Sequence, residues 1–72
     1  MSKRAQTERE LFPNCSFIDR KPKDGSWFRL YRDNDIDVMR TRFQFCADTL
    51  QPGEHVRWAR SDGVIIEEAF KP

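Results

Sequence analysis

Residues 35–50 read DIDVMRTRFQFCADTL, and the period assigned to this stretch decides the fold. Ile36, Met39, Phe43, Cys46, Ala47 and Leu50 recur at the spacing of one helix face. Met39, Thr41, Phe43 and Phe45 also alternate with Arg40, Arg42 and Gln44 at the two-residue spacing of a strand. Periodicity alone leaves both readings open. The β-branched Ile36 and Val38, and strand-like segments on either side, favour a strand over 36 to about 39, followed by a loop or short 3₁₀ turn. The alternative is an α+β domain with residues 36–50 helical.

Working outward, SWFRLYR (26–32) is rich in aromatics, reads as a strand, and is ended by the turn-forming DND (33–35). CSFID (15–19) is a short alternating run, and RKPKDG (20–25) is a loop by its proline, its charges and its Asp-Gly pair. On the other side Pro52-Gly53 is a turn before a strand with Val56 and Trp58 on one face and His55, Arg57 and Ala59 on the other. SDG (61–63) turns the chain again into a last strand, VIIEEAF (64–70). Five short strands separated by turn chemistry predict an all-β fold, a small closed or nearly closed five-stranded antiparallel barrel over residues 14–72, because closure removes the sheet edges. Residues 1–13 are polar, end in Pro13, and read as a flexible N-terminal tail.

A 72-residue chain is one domain that buries only about 60% of its unfolded surface. Hydrophobic residues at 38% suffice for one small core, and charged residues at 35% mark a decorated surface. No apolar run approaches the ~20 residues of a bilayer span and the N-terminus has no apolar signal region, so the expectation is a cytoplasmic protein without a membrane partner. The formal net charge of +1 hides a segregation. Arg20, Lys21, Lys23, Arg29 and Arg32 cluster against Asp24 alone, and gathered on one face with Arg40, Arg42 and Arg57 they would attract a polyanion.

The strand order resembles a divergent cold-shock domain, a five-stranded OB-class barrel. CSFID stands where that family has V-K-W-F-N, and KDGSWFRL where it has K-G-F-G-F-I. DIDVM stands in the place of D-V-F-V-H, and TLQPGEHVRWARSDGVIIEEAF resembles T-L-x-x-G-x-x-V-x-F with its glycine turn and final strand. The chain departs from the pattern where Gly25 replaces an outward aromatic, and where Asp37 and Met39 replace the second motif's aromatic and histidine. The resemblance implies a protein that binds single-stranded RNA or DNA, acting as an RNA chaperone or in transcription antitermination and regulation.

Strand alternation sends Phe28, Leu30, Ile36 and Val38 inward and leaves Trp27, Arg29 and Tyr31 on an outer face, with Met39 and Phe17 on neighbouring strands. Lys21, Lys23, Arg40 and Arg42 flank that platform, suiting bases stacked on rings with cations beside them for phosphates. Large aromatics also simply cover small proteins. The second functional reading is therefore a protein-interaction module, a small regulator or inhibitor that keeps the barrel, has lost nucleic-acid binding and meets a protein through Trp27 and Tyr31.

Trp58 reads as core and His55 as a solvated surface group. Cys15 and Cys46 read as free thiols, with no second Cys or His at metal-ligand spacing. Asp33, Asp35 and Asp37 lack the glycine and glutamate of a calcium loop and read as turn formers. One histidine and scattered hydroxyls assemble no nucleophile with its base, so neither an enzyme nor a cofactor is expected.

Overall fold

The structure, a computed structural model, describes residues 11–72. Among the described residues it is a four-stranded antiparallel sheet with one helix across one face, an α+β fold and not a closed five-stranded barrel. The strands are β1 (Ser16–Lys21), β2 (Phe28–Asp33), β3 (His55–Arg60) and β4 (Ile65–Phe70), and helix α1 (Ile36–Asp48) joins the two hairpins. The sheet order is β2-β1-β3-β4, so β1 and β3 are central and β2 and β4 form the edges. Four of the five expected strands form. The fifth, at 36–39, is instead the first turn of α1.

The aspartates that read as turn formers decide this outcome. Asp35 is the N-cap of α1: its carboxylate accepts from the backbone N–H of Asp37 at 2.9 Å and of Val38 at 3.2 Å. These bonds satisfy two donors that a helix start leaves without partners. Asp37 adds a negative charge to the first turn, where the helix dipole favours it. The chain leaves the helix at Thr49, and Gly53, with a left-handed φ of 88°, turns it into β3.

Once helical, the stretch shows one apolar stripe. Met39, Phe43 and Cys46 are buried, and with Leu50 they pack on Ile18, Val56 and Trp58 of the central strands. Trp58 is core as expected. The indole N–H of Trp58 reaches Ser16 Oγ at 2.9 Å, so the core's largest side chain buries no unsatisfied donor. Ile36, expected inward, is exposed at the rim, and Phe45, which the strand reading set in line with Phe43, lies on the solvent side of the helix.

A bulge in β2 overturns part of the expected alternation. Ile18 faces Tyr31 while Asp19 faces Arg29, leaving Leu30 as the extra residue. From there the side chains change faces: Arg29 is on the open side of the sheet and Tyr31 on the helix side. Leu30 packs against the core as expected, whereas Phe28 is exposed.

Arg20 ties these elements together. Its Nη2 donates to Glu54 Oε1 at 2.6 Å and to Thr49 O at 3.2 Å, linking β1 to the end of α1 and the entry to β3. The tail expected over 1–13 lies outside the described residues up to residue 10. Beyond that point, Arg32 stacks on Phe12 with Cζ 3.8 Å from the ring centroid, and Ser61 donates to Pro13 O at 2.6 Å.

Candidate functional site

With α1 on one side, the sheet presents its other side without a covering element among the described residues. Strand register places Phe17, Asp19 and Lys21 of β1 there, beside Arg29 and Arg32 of β2. His55, Arg57 and Ala59 of β3 and Ile65, Glu68 and Phe70 of β4 complete the face.

The aromatics on this face are held by arginines. Arg29 Cζ stands 4.1 Å from the Phe17 ring centroid and Arg57 Cζ 4.3 Å from that of Trp27. Phe17 is thereby only 5% exposed, and Trp27 retains 37%. Trp27 continues into a row across the sheet: its centroid is 5.0 Å from that of His55, which lies 5.8 Å from that of Phe70. His55, expected as a solvated group, is half-buried within this row.

Asp19 holds Arg29 with both oxygens, at 2.8 and 3.2 Å from Nε and Nη2. Glu68 stands 3.6 Å from Arg57 Nε and 3.5 Å from His55 Nε2. Burial pushes the Asp19 carboxyl above its ordinary range, with Arg57 drawing it part of the way back. Burial also lowers the Arg29 guanidinium, assisted by the like charge of Arg32. The Arg29–Asp19 pair stands between two hollows. One, of about 300 Å³, is lined by Phe17, Arg57, Arg60 and Ile65 among others, and its neighbour, of about 330 Å³, by Trp27 and Phe28.

Of the expected site residues, Phe17, Lys21, Trp27 and Arg29 meet on the open face. Tyr31 does not, because the bulge turns it towards the helix, where Arg42 Cζ lies 4.7 Å from its ring centroid. Met39 is fully buried under α1 and offers nothing to a ligand; the helix replaces the strand that would have turned it outward. Arg40 is an exposed helix residue paired with Asp37 at 3.1 Å, and Arg42 belongs to the same element, so neither flanks the open face. Lys23 lies in the β1–β2 turn, against the Gly53 turn.

Sequence reasoning left His55 and Phe70 out of the site and counted Arg57 in the basic face but not beside Trp27. The signal for Arg57 and His55 was present: both alternate with Val56 and Trp58, so assigning those two to the core puts their neighbours outside. Among the described residues no three His, Cys, Asp or Glu side chains gather as a metal site, and no helix is long and apolar enough to cross a membrane. Cys15 and Cys46 are both free thiols, and Cys46 is buried. No family model, curated protein or solved structure matches the chain.

Proposed function

We propose that the open face of the sheet binds single-stranded RNA or DNA. The observation that carries this reading is the charge of that face around Trp27. Lys21, Arg29, Arg32 and Arg57 stand there against Asp19 and Glu68. Cations spread over a strand-wide surface suit a chain of phosphates, and single strands are held by such grooves together with planar groups for their bases. Trp27 supplies one plane, and the guanidinium groups that stack on the rings supply others, since bases stack on arginine as well as on aromatics. The support is this surface and not the cold-shock barrel, which the chain does not form.

A protein partner is the second reading, and one observation favours it. Arg29 covers Phe17 and Arg57 covers Trp27, so the rings that would meet a base already face guanidinium groups. Tryptophan and arginine clustered in this way are what interface hot spots use, and the chain would then be a small regulator or inhibitor.

Titration of tryptophan fluorescence with oligo-dT and oligo-U at two salt concentrations separates the two. Trp58 is shielded at 1% exposure, so a change in emission reports Trp27. Quenching that weakens as salt rises is the result expected for strand binding, because phosphate contacts release counterions. An emission that does not respond at low salt removes the first reading and leaves the second.

A further inference from the structure

Strand β4 is an edge of the sheet, and none of the described strands pairs with its outer side. Lys71 N–H donates to Glu54 O at 3.1 Å and Lys71 O accepts from Gly53 N–H at 2.6 Å, so the backbone of Lys71 is directed towards β3. In an antiparallel ladder this direction alternates along the strand. Ala69 and Glu67 therefore also face β3, while Glu68 and Phe70 direct their N–H and C=O groups outward. Both ends of this outward stretch are bounded: Ile66 sits at a bulge, and Pro72 has no N–H to give.

We infer that this edge seats a second copy of the chain, the two β4 strands pairing antiparallel about Ala69. Only outward-directed residues can stand opposite each other in hydrogen-bonded pairs, which leaves three registers. Glu68 opposite Glu68 sets like charges face to face, which is destabilising. Phe70 opposite Phe70 brings Pro72 opposite Glu68 and loses the bond that its N–H would make. Glu68 opposite Phe70 is the third, and it places Glu67 of each copy opposite Lys71 of the other, two ion pairs across the two-fold axis. Both Glu67 and Lys71 are exposed, and neither has an ion pair within the described part of its own chain. Charge complementarity thus selects one register and one occupant.

The apolar surface agrees with this arrangement. Phe70 is 59% exposed on the open side of the sheet, and the pairing about Ala69 sets it diagonally from its counterpart in the other copy, within reach of an aromatic side chain. The contact is isologous, closes on itself and joins two four-stranded sheets into one of eight strands. It does not depend on what the open face binds.

Sedimentation equilibrium of the full chain from micromolar to millimolar concentration tests the inference. A reversible monomer–dimer equilibrium is expected. Lys71→Glu turns both attractive pairs into repulsive ones and weakens association about tenfold, and Glu67→Lys does the same. The double variant Glu67→Lys/Lys71→Glu restores the parent value, a recovery that a misfolded protein cannot imitate. Near-ultraviolet circular dichroism from Trp58 verifies that each variant keeps the fold. A chain that stays monomeric throughout, a dimer indifferent to Lys71→Glu, or a double variant that fails to recover each overturns the inference. In the first case the charges on β4 serve to guard the edge.

Discussion

Trp58 Nε1 donates to Ser16 Oγ at 2.9 Å, a buried bond that ties β3 to β1 across 42 residues of chain. Trp58→Phe retains most of the apolar contact but leaves the Ser16 hydroxyl without its donor, at a cost of about 1–3 kcal/mol. Trp58→Ala empties the centre of the core and costs about 3–5 kcal/mol. Urea unfolding of the two variants beside Ser16→Ala measures both contributions. If Trp58→Ala is as stable as the parent, the two faces of the sheet have been assigned the wrong way round.

The helix over residues 36–48 is tested by contrast. Met39, fully buried, loses about 2–5 kcal/mol on truncation to Ala. Phe45, 64% exposed on the same element, changes stability by no more than about 0.5 kcal/mol. A strand with Met39, Phe43 and Phe45 on one face would make the two positions respond alike, so equal losses in thermal unfolding would contradict the helix.

Glu54 makes the fold sensitive to acid. The hydrogen bond from Arg20, reinforced by the one from the Gln51 N–H, holds its carboxyl below the usual range. A carboxyl whose folded-state pKa is depressed contributes stability that is present above its unfolded pKa and is lost as pH falls through the folded one. Asp19, raised by burial, acts in the opposite sense: its contribution grows on protonation. The comparison is therefore made between the parent and Glu54→Gln. The parent is expected to be the more stable at neutral pH, with the difference shrinking as the solution is acidified through the carboxylate range. A difference that does not shrink would show that the Glu54 charge is not what Arg20 holds.

If the open face binds single strands as proposed, Trp27 is expected to matter more to binding than to folding. Its described ring contacts are the Arg57 guanidinium and the half-buried His55, so Trp27→Ala costs about 1 kcal/mol of stability, far less than the same change at Trp58. Affinity for the oligonucleotides is expected to fall markedly in this variant. Anisotropy of a labelled oligonucleotide supplies the readout once the fluorophore is gone, and undiminished affinity would move the site elsewhere on the molecule.

What the sequence by itself determined follows from local chemistry. Turn residues at Asp24-Gly25, Pro52-Gly53 and Asp62-Gly63 and the alternation around Val56 and Trp58 located four strands and the central core side chain, because a turn's backbone demands and a strand's period act over a few residues. The stretch 35–50 satisfied two periods at once, and composition leaned to the wrong one. The cap at Asp35 and the apolar surface of β1 and β3 beneath Met39, Phe43 and Cys46 made the helix the lower-energy choice. Only the tertiary structure decided which way Tyr31 points, since the bulge at Leu30 arises from pairing with β1 and not from β2 itself. It also decided the candidate site, for Trp27, His55, Arg57 and Phe70 come from three segments of the chain. Their meeting depends on strand order and register, which contacts between segments distant in sequence set.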